Sequence, residues 1–115
     1  MLLAIDTSTA LVGLALYAGD HVFGEMTWTT KQHHTTELAP ALSGLLKRCG
    51  VTMESVHALG VAIGPGSFTS LRVGLSLVKG IALARSVPVM GISTLDVIAA
   101  AQPLAKHPLV AVLQA

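Results

Sequence analysis

The chain sets short apolar runs against longer stretches of helical period. Residues 1–6 (MLLAID) are an apolar run ending on a carboxylate and predict a buried central strand. Residues 11–17 (LVGLALY) predict a second strand, closed by a hairpin turn at Ala18, Gly19 and Asp20. Residues 21–29 mix β-branched, aromatic and polar side chains, as an outer antiparallel strand does. Three consecutive strands with tight turns make a meander. The period then changes. Leu38, Leu42, Leu45, Leu46 and Cys49 recur at helical spacing and predict a helix over residues 37–49. Thr35 or Thr36 would cap its start and Gly50 follows its end. Pro40 suits only the first turn of a helix, so a later start or a bend is expected.

Residues 58–63 (ALGVAI) predict the next strand, which runs into Gly64, Pro65 and Gly66. That turn opens a second helix, expected over residues 70–85, with Ser67 or Thr69 able to cap it. This helix has two apolar stripes, one of Leu71, Leu75, Val78 and Ala82, the other of Val73, Leu77, Ile81 and Ala84. Its polar stripe is narrow: Arg72, Ser76 and Lys79. A helix packed on one sheet needs one apolar face, so the second stripe predicts either complete burial or docking of another subunit. Gly80 and Ala84 would permit a close approach. Residues 88–93 predict a strand, and residues 95–102 a third helix capped by Ser93 or Thr94. Residues 103–108 read as a linker and 109–113 (LVAVL) as the beginning of another strand.

The order β-β-β-α-β-α-β-α combines an opening meander with strands joined through helices. It predicts an α/β fold with a mixed sheet, the ribonuclease H-like half of the actin-like ATPase (ASKHA) fold. Residues 111–115 echo residues 4–7 in register, with Gln114 at the place of Asp6, as strand one of a duplicated half would. The expected division is therefore an N-terminal actin-like domain over residues 1–107 and the start of a second, missing actin-like domain over 108–115.

Composition adds a constraint on the surface. Of 115 residues, 52% are hydrophobic and 11% charged, more apolar than a free monomer's surface favours. Part of the excess is expected in an interface or under a missing second domain. A net charge of +1, with no basic run and two Phe, one Tyr and one Trp, excludes a free-standing nucleic-acid binder. Cys49, the single cysteine, reads as a small buried hydrophobe; it allows no intrachain disulfide and fits a reducing cytoplasm. The N-terminus lacks a basic region and Asp6 interrupts its apolar run, so no signal peptide is expected. Nor is a membrane span, since no apolar stretch reaches ~18 residues.

The candidate chemistry clusters in two loops. Asp6, Thr7, Ser8 and Thr9 follow the first strand, where a carboxylate suits a hydrated divalent cation. The same Asp6 could instead fold back on Ser8 or Thr9 in an Asx turn. Gly64 and Gly66 precede a helix N-terminus, whose free N–H groups attract anions. Asp6, Ser8, Gly64, Gly66 and Ser67 are thus the candidate nucleotide-binding set. The loop has neither the lysine of GxxxxGK[ST] nor the spacing of GxGxxG. His33 and His34 are adjacent rather than one helical turn apart, and His21, His57 and His107 are scattered, so no metal site is expected. Ser67 has no GxSxG around it and no paired base. Glu25, Glu37, Glu54 and Asp96 form no evident acid–base pair, and no catalytic residue is expected.

Several strings, in order along nearly the whole chain, resemble the bacterial TsaB (YeaZ) family. They are residues 3–9 (LAIDTST), 34–40 (HTTELAP), 64–74 (GPGSFTSLRVG), Lys79-Gly80 and 91–95 (GISTL). The GPGSFT-x-LR-x-G string is the most specific. The family usually has glycine where Ser70 stands and an acidic residue where Thr36 stands, and it has a second domain. The resemblance implies a part in making threonylcarbamoyladenosine beside the anticodon of tRNAs. It further implies a non-catalytic scaffold that dimerises, through its first two helices, with the catalytic paralogue TsaD, which carries a histidine metal motif. A TsaE-like ATPase would join them, tRNA would be met only through the complex, and ATP and Mg²⁺ would belong to the complex. Alone, the chain would form a homodimer through the same helices. By spacing, Leu42, Leu45, Leu71, Leu75 and Val78 are the expected interface residues. The alternative reading is a phosphotransferase or nucleotide-hydrolysing half-fold that uses Asp6 and the loop from Gly64 to Ser67.

Overall fold

A computed structural model describes residues 1–31 and 33–100. Strand β1 (Leu2–Asp6) lies at the centre of a five-stranded sheet of order β3-β2-β1-β4-β5. Strands β2 (Leu11–Tyr17) and β3 (Val22–Thr29) complete an antiparallel meander on one side of it. On the other side β4 (Ala58–Ala62) runs parallel to β1, and β5 (Val89–Ile92) parallel to β4. The sheet is mixed, as the element order predicts.

Period-two alternation decides which face holds the core. Leu3 and Ile5 stand beside Leu16 and Leu14 across one junction and beside Leu59 and Val61 across the other. All six are buried on the same face. Helices α1 (His34–Cys49) and α2 (Phe68–Arg85) close over them with Leu38, Leu42, Leu45 and Val78. The opposite face carries smaller residues, Ala4, Gly13, Ala15 and Gly60. It shares a groove with Val97 of α3 (Thr94–Ala100).

Helix α1 begins three residues earlier than its apolar period predicts, and Pro40 falls in its second turn. Tertiary contacts override the local preference there. Buried Thr30 accepts from the backbone N–H of His33 at 3.0 Å, and its hydroxyl donates to the Glu37 carboxylate. The ring of buried His34 lies 3.2 Å from the Thr9 carbonyl. These contacts hold the first turn, while Pro40 is exposed, so water can serve the carbonyl its missing N–H leaves free. Gly50 follows the helix in a left-handed conformation, as expected. Helix α2 also starts early, at Phe68, with the Ser67 hydroxyl accepting from Ser70 N–H. The expected strand at 109–113, the linker before it and the second-domain boundary lie outside the described residues.

The packing of α2 corrects its expected stripes. Its buried line is Ser70, Gly74 and Val78, and Leu71, Leu75 and Leu77 flank that line half-buried. The cause is a close approach to the end of β1. A methyl group on Gly74 would stand 2.6 Å from Thr7 Oγ1, so only glycine lets the helix lie this near. No helix among the described residues is long and apolar enough to cross a membrane.

This arrangement separates two leucines sharply. Leu59 is fully buried, whereas Leu83 of α2 is 85% exposed. Leu59→Ala should lower the unfolding free energy in urea by about 2–5 kcal/mol. Leu83→Ala should change it by less than about 0.5 kcal/mol.

Candidate functional site

The two loops singled out in the sequence are brought together, and they are bonded to each other. The Asp6 carboxylate accepts from Ser8 N–H at 2.9 Å and from Ser8 Oγ at 2.5 Å, which is the Asx-turn arrangement. The Ser8 carbonyl in turn accepts from Ser67 N–H at 3.0 Å. Gly66 has no room for a side chain, because a methyl group there would run into the Ser8 backbone. The buried Thr7 hydroxyl donates to the Ser70 carbonyl at 2.6 Å, and the Gly64 carbonyl accepts from Thr94 N–H at 2.8 Å.

A helix N-terminus offers an anion four unbonded N–H groups. At α2 these belong to Ser67, Phe68, Thr69 and Ser70. Ser8 holds the first and the Ser67 hydroxyl the last. An anion at this end of α2 would therefore meet the N–H groups of Phe68 and Thr69, while those of Ser67 and Ser70 are engaged within the chain. Ser8, Gly66 and Ser67 also join the end of β1 to the start of α2, with Asp6 holding the turn between them. Among the described residues no three His, Cys, Asp or Glu side chains come together as a metal site would require.

The second candidate is the outer surface of the helical layer. A groove of about 440 Å³ runs between α1 and α2, lined by Leu38 and Ala39 on one side and Phe68, Arg72, Val73 and Leu77 on the other. Phe68 is 75% exposed, and the Arg72 guanidinium sits 5.6 Å from its ring centroid in a cation–π contact. Along the outward stripe of α2 follow Ser76, Lys79 and Leu83, all exposed.

The expected interface residues divide. Leu42, Leu45 and Val78 are core residues, covered by the sheet they pack against, and present no surface to a partner. Leu71 and Leu75 are half-buried, and Leu75 packs against the core. The large apolar side chains that face outward are Phe68 and Leu83, which spacing alone had passed over. The signal was present. Extending the polar stripe Arg72, Ser76, Lys79 by one turn in each direction reaches Phe68 and Leu83.

The meander, the two parallel strands and the crossover helix between them define the ribonuclease H-like half of the actin-like class. RuvC of Thermus thermophilus has the same fold at 14% identity, with a TM-score of 0.53 over 84% of this chain and 65% of that one. YeaZ from Pseudomonas aeruginosa superposes with a TM-score of 0.80 at 34% identity, over 85% of this chain and 45% of that one. Residues 22–115 match the family model described as TsaD, tRNA N6-adenosine threonylcarbamoyltransferase. The tRNA threonylcarbamoyladenosine biosynthesis protein TsaB of Bacillus subtilis is 36% identical over 86% of this chain and 43% of its own length. TsaB of Escherichia coli is 34% identical over 82% and 40%. The chain belongs to the TsaB (YeaZ) family, as its motifs imply. It spans less than half the length of these two relatives.

The loop lock can be tested by a double-mutant cycle. Gly74→Ala alone should lower stability by about 1–3 kcal/mol, because the clash with Thr7 outweighs the helix-propensity gain. In a Thr7→Ala background the clashing atoms are gone, and Gly74→Ala should be neutral or mildly stabilising. A coupling energy of at least about 1 kcal/mol in urea unfolding is expected. Equal costs in both backgrounds would mean that Thr7 does not set the approach of the helix.

Proposed function

We propose that this chain is the N-terminal actin-like domain of a non-catalytic scaffold subunit in the complex that makes threonylcarbamoyladenosine in tRNA. On this reading α1 and α2 form the surface that pairs with a TsaD-like catalytic paralogue, and a TsaE-like ATPase joins the pair. Family membership supplies the pathway, since the relatives are named for threonylcarbamoyladenosine biosynthesis. The observation that carries the scaffold role is the outward stripe of α2. This helix buries one side against the sheet and still exposes Phe68, at the groove with α1, and Leu83, further along the same stripe. Two such side chains on one helix face are what an interface core requires. The loop pair supports the reading from the other direction, because Asp6 holds the turn after β1 and the Ser67 N–H is bonded to the Ser8 carbonyl. ATP and Mg²⁺ are assigned to the complex, tRNA is met through the complex in the cytoplasm, and a second copy takes the same face when the paralogue is absent.

The test is affinity for the TsaD-like paralogue of the same organism, measured by calorimetry. Phe68→Ala and Leu83→Ala should each weaken pairing about tenfold or more, with unchanged melting curves because both residues are exposed. Asp6→Asn should leave pairing intact. Loss of pairing in the Asp6 variant alone, accompanied by loss of nucleotide turnover, would replace the scaffold with the half-fold enzyme.

A further inference from the structure

The near-neutral net charge conceals an uneven distribution. Helices α1 and α2 carry six formally charged side chains: Glu37, Lys47, Arg48, Arg72, Lys79 and Arg85. Glu37 is half-buried and accepts from Thr30. Arg85 is half-buried and donates to the Glu54 and Val56 carbonyls at the end of the domain. The four that remain exposed, Lys47, Arg48, Arg72 and Lys79, are all cations. The acids lie elsewhere. Asp6 and Glu25 line the groove on the opposite face of the sheet, and Asp96 stands in the first turn of α3.

Granted that α1 and α2 form the pairing surface proposed above, we infer that these charges rank its partners. The face fits a helical surface that offers apolar side chains to Phe68 and Leu83 and carboxylates to Arg72 and Lys79; a second copy of this chain is the weaker occupant. Arg72 and Lys79 are seven residues apart, two turns along one stripe, or about 10 Å. In an antiparallel pair of α2 helices centred on their midpoint, each Arg72 falls within one turn of the second copy's Lys79. A parallel pair sets Arg72 against Arg72 and Lys79 against Lys79. Packed helices lie about 8–10 Å apart, close to the Debye length of about 8 Å at physiological salt. The repulsion is therefore only partly screened in the homodimer. An acidic partner meets the same cations as attraction, and charge complementarity of this kind governs specificity more than it governs raw affinity. The apolar ends of the stripe favour a protein over a polynucleotide. Phosphate recognition would gain nothing from Phe68 and Leu83 at both ends of the cationic stretch, and no further cations extend it along the helix.

Lys79→Glu separates the two occupants, and Lys79 is exposed, so the fold should persist in thermal melts. Self-association is read by sedimentation velocity at about 0.05 M and about 0.5 M salt, and pairing with the TsaD-like paralogue by calorimetry. Wild-type self-association should strengthen as salt rises. The homodimer is taken as the antiparallel pair, in which Lys79→Glu places a carboxylate opposite Arg72 and should tighten self-association about tenfold at low salt. The same variant should weaken pairing with the paralogue about tenfold, and Lys79→Gln should fall between wild type and Lys79→Glu in both measurements. The inference is overturned if Lys79→Glu moves both associations in the same direction or neither. It is also overturned if wild-type self-association is strongest at low salt, which would mean head-to-tail contact between the cationic helices and the acidic sheet face. Salt-sensitive binding of unmodified tRNA by the chain alone, abolished by Lys79→Glu, would assign the cations to phosphate. Should the wild-type chain ignore the paralogue, the scaffold reading fails, while the self-association comparison still decides the role of the charges.

Discussion

The contact on which the structure depends is the close approach of α2 to the end of β1. It is made by Gly74 against Thr7, with the Thr7 hydroxyl donating to the Ser70 carbonyl at 2.6 Å. The buried line of the helix is thus small and polar at its start and apolar only at Val78. A hydrogen bond of this kind contributes about 1 kcal/mol net, but its position matters more than its strength. With the helix axis this near the sheet, the bulky residues on either side of the line are forced outward to half-buried positions. Leu71, Val73, Leu75 and Leu77 all lie there.

The same approach brings the Ser8 carbonyl to the Ser67 N–H and the Gly66 backbone against Ser8. Gly66 and Gly74 of GPGSFTSLRVG therefore act where a strand turn and a helix start touch. A helix N-terminus is an anion site only while its N–H groups are free. Here a carbonyl oxygen of the chain occupies one of them, and it is a less charged ligand than a phosphate but a permanent one.

Much of this fold could be read from the residues. The apolar run of residues 1–6 marked β1 as a buried central strand, and helical recurrence of Leu38, Leu42 and Leu45 marked α1. The early start of α1 was not readable, because it rests on Thr30 and Thr9, which are distant from the helical period. The misreading of α2 has a different cause. Spacing counts apolar side chains and takes the densest stripe as buried, whereas packing distance is decided by the smallest residues on the line. Ser70 and Gly74 weigh little in a hydrophobic pattern and determine the helix position completely. For the same reason Leu42, Leu45 and Val78 were taken for surface and are core, and Phe68 was read as part of a turn. The Asx turn at Asp6 was legible as one of two alternatives, but choosing between them needed the distance to Ser8.

The position of α2 also explains how an apolar domain of this size keeps a usable outer face. Val73 and Leu77 of α2 line a groove with α1, while Phe68, Arg72, Lys79 and Leu83 stand exposed along its outward stripe. Hydrophobic area there favours association with almost any apolar face, because burial is non-directional. Discrimination has to come from the charges set among the apolar residues. The exposed charges of this layer share one sign, so the helix placement that joins β1 to α2 also sets cations among the apolar residues on the far side of α2.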